Sequence, residues 1–477
     1  MRDERSRRIV EGRLGWEMAR FGAPLALGMG LQTTFNLVDA YLIGRLEPEQ
    51  ATPALGAIGI CDQLAALGTI VSYGMSVATA ALVSRRQGEG DAAGMRRVAW
   101  QSLLLISGLS VAFALLAIFG ARTLIFDVVG AKGDVATYSV SYLRVLVGGS
   151  FTIFLLLHLT TLLRAAGSSK TPVSMLIVAN VANLLLAVVL VYGPGPAPPL
   201  FGWGTALASL LGIPRLGLMG AAWATLIARF IVLLPLFVIV VRRFELFSPS
   251  LPRKPDAVAL RRIASLGWPS SAQLVVRILA MLLTHSLVAR AYTTATDQSA
   301  TVALGIVFRL ETMALFVALG WGSAAQTFVG QNLGAGQPRR AKSSGWYASL
   351  FNSLMMVALA VVYRVWGESI VALFDDEPRV VDTARSYFAW VGWAYVGLGT
   401  GIALGSAMQG AGATRQSLAL DALVAGCFQV PGSLAVVYLL GAGYTSLWLV
   451  VALTYVAFAA AYAVSYQRGG FLRTVLA

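Results

Sequence analysis

Twelve runs of roughly 20 apolar residues divide this chain, and they leave little choice of fold. Their approximate spans are 16–44, 54–83, 98–120, 136–163, 172–192 and 217–241, then 262–291, 302–329, 345–373, 383–409, 417–438 and 444–466. Each is long enough to cross the hydrocarbon layer, where backbone polar groups must be satisfied within the segment; helices are therefore expected throughout. The chain is 57% hydrophobic and 12% charged, against about 25% charged residues in soluble domains. An all-α integral membrane protein with the lipid bilayer as its solvent follows.

The net charge of +14 sits in short loops between the runs, with no basic domain set apart, so nucleic acid is not the expected partner. Of 36 Lys and Arg, 23 fall on the side of the N-terminus and 8 on the other. The positive-inside rule then predicts that both termini are cytoplasmic, in the inner membrane of a bacterium. The basic segment MRDERSRRIVEGR precedes a run too long for a cleavable signal core, so that run is expected to remain as the first helix. Cys61 and Cys427 lie within apolar runs without metal-ligand spacing and read as core thiols.

The two halves repeat. GAP (22–24) recurs as GWP (267–269), SYLRVLVGG (141–149) as SYFAWVGWA (386–394), and RAAGSSKT (164–171) as QGAGATRQ (409–416), all offset by 245 residues. GMSVATAALVSRRQGEGD (74–91) matches GWGSAAQTFVGQNLGAGQ (320–337) at an offset of 246. Six helices per copy is an even number, so both copies enter the membrane in the same sense and are parallel repeats. The expected layout is a six-helix lobe over 1–243, a cytoplasmic connector over 244–262 and a second six-helix lobe over 263–477, with a cleft between.

Within the first run, Gln32, Asn36 and Asp39 fall within about 60° of one another on a helix. Amides can glue helices together, but an intramembrane Asp must be paired or wetted, which marks it as functional. Desolvation favours the neutral carboxyl, so such a group can exchange protons where a surface one stays ionised. Asn180 and Asn183 share a face of the fifth helix. Pro24, beside Gly22, Gly28 and Gly30, suggests a bendable first helix. In the second half, repeat equivalence places Arg277 opposite Gln32 and Thr284 opposite Asp39, with His285 adjacent and Gln273 one turn before Arg277. Arg277, Arg309 and Glu311 carry intramembrane charge. An Arg277–Glu311 ion pair joining helices 7 and 8 is the expectation, with a substrate-selecting cleft patch as the alternative.

The chain resembles the multidrug and toxic compound extrusion (MATE) family of antiporters. The resemblance rests on PLALGMGLQTTFNLVDAYLIGRL, VSRRQGEGD, LLRAAGSSKTP, GLMGAAWATLIAR, FRLE, FVGQNLGAGQPRRA and MQGAGATR, in family order along nearly the whole chain. It implies two lobes in a V and export of amphiphilic, often cationic organic compounds driven by inward H+ or Na+. It also implies coupling at Asp39 and bending of the first helix. Three departures favour H+ over Na+: Ala187 stands where the family carries a helix 5 carboxylate, Arg277 where one branch carries a helix 7 acid, and GLGTGIALGSAMQG (397–410) holds no acid. The expected cofactor list is empty apart from the coupling ion, and a monomer is expected. A flippase for lipid-linked saccharides is the rival reading. An enzyme is not expected, since HExxH, aspartate-rich diphosphate and Ser/His/Asp sets are missing from the sequence.

Overall fold

The computed structural model describes residues 4–249, 252–294 and 296–474, and the side chains of 32–40 and 48 lie outside the described residues. A short helix α1 (Glu4–Glu11) precedes α2 (Leu14–Gly44), α3 (Pro48–Glu89), α4 (Ala92–Val128), α5 (Gly133–Leu146), α6 (Ser150–Ala165), α7 (Lys170–Tyr192), α8 (Gly202–Leu211) and α9 (Leu218–Phe244). The second half comprises α10 (Ala257–Ala291), α11 (Ser299–Gly334), α12 (Pro338–Ala372), α13 (Pro378–Val391), α14 (Tyr395–Gly410), α15 (Thr414–Leu439) and α16 (Tyr444–Arg468). Among the described residues, nine of these are single helices long and apolar enough to cross a membrane. The pairs α5–α6 and α13–α14, bent by 46° and 55°, each make one further span, and the 31-residue α2 supplies the twelfth.

The repeat is written into the backbone. Shifting α5 and α6 by the sequence offset of 245 lands on the bounds of α13 and α14, so both halves break their fourth span at the same point. The broken residues are VGG in one copy and GWA in the other, where small residues let the chain turn without proline. The connector is shorter than the sequence suggested. Its last six residues already belong to α10, because Asp256 caps that helix by accepting from Val258 N at 3.0 Å and Ala259 N at 3.3 Å. The rest is pinned to the start of α4: Trp100 Nε1 donates to Arg253 O (3.0 Å), and Gln101 Nε2 to Lys254 O (2.9 Å).

Both termini lie on one face. Arg340 donates to the carbonyls of Ile9 (3.1 Å) and Gly12 (2.5 Å), while the neighbouring Lys342 donates to Gln467 O (2.7 Å). The two bundles are sealed along this face. Gln331 of α11 joins Ser6 Oγ (3.1 Å) and Ala165 O (2.8 Å), and Gln326 donates to Val77 O (3.0 Å). Ser271 of α10 donates to Ile70 O of α3 at 3.1 Å, near mid-helix. Among the described residues, every hydrogen bond between the halves lies from this level towards the terminus face. The opposite halves of α3, α10 and α11 share none among the described residues, the side on which a cleft between the bundles would open. On that open face the segment 192–217 folds α8 against α7, with Gly204 beneath Val188 and Leu200, Leu207, Leu210 and Leu211 exposed. An apolar helix lying at the membrane interface accounts for this pattern.

Candidate functional site

The helix α2 runs unbroken through Pro24. The glycines beside it are packing positions: a Cβ at Gly28 would lie 2.8 Å from Val173 Cγ1, and one at Gly30 2.8 Å from Val317 Cγ2. They bring α2 against α7 on one side and α11 on the other, so close approach is one role of these glycines. Gln32, Asn36 and Asp39 lie in the helical part of α2 whose side chains are outside the described residues. Around that stretch, Asn183 is buried and Asn180 half-buried on α7, and Ala187 is fully buried.

A second acid belongs to this lobe, against the sequence reading that Asp39 stands there alone. Asp62 of α3 interacts electrostatically with Arg229 of α9, although α3 and α9 do not pack along their lengths. Asp62 itself is exposed. The argument that singled out Asp39, a carboxylate inside an apolar run, applies equally to GICDQL (59–64).

In the second lobe the expected Arg277–Glu311 pair does not form. Arg277 Nε donates to Asp421 Oδ2 of α15 at 2.5 Å, and its guanidinium stacks 5.0 Å over the Phe458 ring. Asp421 also accepts from Tyr462 Oη (2.5 Å), which accepts from Gln273 Nε2 (2.9 Å); Gln409 Nε2 donates to Gln273 Oε1 (2.7 Å). Gln273 is thus committed to a buried network across α10, α14, α15 and α16. Burying an ionised Asp with both oxygens satisfied is the arrangement that makes a membrane-embedded Arg tolerable. Asp421 lies inside the eleventh apolar run, at a position with no acid in the first half: its repeat equivalent, at an offset of 245, is Leu176.

Arg309 and Glu311 are two residues apart and point to different sides of α11. Arg309 sits three turns from Gly320, whose face packs on Ala26 of α2; at its own level the bundles have parted and Arg309 is exposed to the cleft. Glu311 sits three turns from Gly322, whose face packs on Ser406 of α14 inside the bundle. There it accepts from Tyr387 Oη at 2.7 Å and from Tyr455 Oη, with Tyr363 and Tyr395 close by. Tyr395 Oη is buried without a partner. Thr284 bonds back to Ala280 O of its own helix (3.2 Å), and His285 to Met281 O (3.1 Å) with its ring edge-on to Phe308. Neither joins the charged groups of the cleft.

Two pseudo-symmetric six-helix bundles, sealed on one face and carrying unlike charged groups, are the architecture of a membrane transporter. The sequence matches the MatE family over residues 24–189 and 274–434, and the chain belongs to that family. Among similar proteins, the probable multidrug resistance protein YpnP of Bacillus subtilis is 27% identical over 416 residues, covering 87% of this chain and 86% of that protein. An FAD transporter of Shewanella oneidensis is 24% identical over 414 residues, with the same coverage, 87% and 86%. Among solved structures, a transporter of the MOP superfamily from Pyrococcus furiosus superposes with a TM-score of 0.86 at 20% identity, covering 100% of both chains. A multidrug resistance MATE transporter in an outward-facing conformation gives 0.85 at 21% identity, again over 100% of both.

Proposed function

We propose that this protein exports small amphiphilic organic compounds across the inner membrane of a bacterium, by antiport against inward-moving H+. The observation that carries this reading is the terminus-face seal beneath a cleft walled by charged groups. The seal faces the cytoplasm in this reading, since 23 of the 36 Lys and Arg lie on that side, and the conformation is outward-open. Ionised Asp39, supported by Asn180 and Asn183, receives substrate. Protonation from outside then neutralises the carboxylate and releases it. Inward transfer of one charge across 100 mV supplies about 2.3 kcal/mol, more than a tenfold gradient. One carboxyl such as Asp39 suffices for a proton, whereas Na+ needs several oxygen ligands. The protein works as a monomer in this account, and Pro24 serves as the point about which α2 bends.

Reconstituted protein should drive efflux under an imposed pH gradient without Na+, and Asp39→Asn should insert normally yet lose most gradient-driven export. Efflux that follows a Na+ gradient and ignores pH would replace the ion. Normal export by Asp39→Asn would remove the residue from the mechanism. Because relatives carry names ranging from multidrug resistance to FAD transport, the assay should include a cationic dye and a flavin dinucleotide.

A further inference from the structure

A cavity of about 190 Å³ opens on the terminus face, remote from the cleft. Its floor is Ile9, Phe21 and Phe328, the last two in edge-to-face contact at 5.5 Å. Four cations line it: Arg5 and Arg8 of α1, Arg20 of α2 and Lys170 at the start of α7. One carboxylate, Glu17, shares the lining, and Arg8 is engaged by Glu4. Arg5, Arg20 and Lys170 have no acidic partner among the described residues. The rest of the wall is Gly167, Ser168, Ser169 and Thr171.

Ser169 is the second, independent feature. It occupies the N-cap of α7, is only 7% exposed, and its hydroxyl caps no backbone N–H and has no other partner. An N-cap serine ordinarily satisfies its own helix. Here the first turn of α7, the positive end of its dipole, faces a cavity already rich in cations. Positive-inside topology explains basic residues on this face, but not their convergence on a buried, unengaged hydroxyl and an uncapped helix start.

We propose that this cavity binds a phosphate group, presented by an anionic phospholipid of the adjoining leaflet or as free inorganic phosphate. The bound anion bridges α1 and α2 to α7 just where Phe328 of the other lobe closes the floor. It therefore stabilises the conformation sealed on the terminus face, since opening of that face would carry Phe328 away from the floor of the cavity.

The test is the thermal midpoint of purified full-length protein in neutral detergent. Inorganic phosphate should raise it by several degrees over chloride at equal ionic strength, or phosphatidic acid should do so over phosphatidylcholine in mixed micelles. The first result identifies free phosphate as a ligand and the second alone a lipid head group. The double variant R20Q/K170Q should lose most of the shift, while R339Q/R468Q, which removes two charges elsewhere on the same face, should keep it. No shift in either comparison, or an equal shift in R20Q/K170Q, overturns the site. An equal loss in R339Q/R468Q would reduce it to general charge. Spin labels on α8 and on the α10–α11 loop should move towards the wide separation when the anion is added, and unchanged distances would refute the coupling to the seal.

Discussion

Arg277 shows how a charge inside a membrane is accounted for residue by residue. Its partner is Asp421, and both carboxylate oxygens of that Asp are occupied, by the guanidinium and by Tyr462. Removing either member leaves the other buried and unpaired, so Arg277→Met and Asp421→Leu should each cost about 3–5 kcal/mol. The double replacement should recover much of that. A thermal-stability cycle in detergent measures the coupling, and additive losses would show that the two act separately. Glu311 differs in kind, held by phenol hydroxyls alone, so replacing it is predicted to be milder. Glu311→Gln keeps the shape and should cost about 1–3 kcal/mol, the range for leaving buried donors unmatched. A loss as large as that of Arg277→Met would point to an uncounted charge near the tyrosines.

At the scale of elements, the sequence was legible where lipid is the judge and illegible where neighbours are. Twelve apolar runs became twelve spans because hydrocarbon demands length and closed hydrogen bonding, which a single segment reveals. The pairing of Arg277 depended on which helix comes to rest beside α10, and nothing in its own run records that α15 does. The packing at Gly28 and Gly30 was hidden for the same reason, since a glycine that permits bending and one that admits a neighbour look alike in sequence. The connector offers a check on local structure. The hydrogen bond from Arg97, at 2.5 Å, and those from Ala259 N and Val258 N hold the Asp256 carboxyl below the usual carboxylate range. Its contribution is therefore complete above the ordinary carboxylate value of about 4 and is lost as pH falls through the lower, folded-state value. Amide exchange at the start of α10 should quicken on that acid limb in the wild type. In Asp256→Ala it should be fast at every pH. A wild-type profile that is flat below pH of about 4 would sever the cap from the titration.

For the whole molecule, the seal is made of close backbone approach. A Cβ on Gly334 would collide with the Arg85 backbone, and one on Gly88 with that of Gln331, so α3 and α11 meet at these points with no room for a side chain. Gly88→Val should overpack the seam by about 1–3 kcal/mol and shift the balance towards the face-open state by up to about a hundredfold. Spin-label distances across the terminus face would report it, and an unchanged distribution would mean that the seam yields elsewhere.

The matched bends at α5–α6 and α13–α14 have one more consequence. Two copies of one mechanical part have been kept in step to the residue, while the chemistry mounted on them has drifted apart. One copy carries acids and amides, the other a sealed Arg–Asp couple and a ring of tyrosines. An even mechanical frame thus carries an uneven set of charges. The hinge is shared like the pivot of a seesaw, while the two seats are built differently.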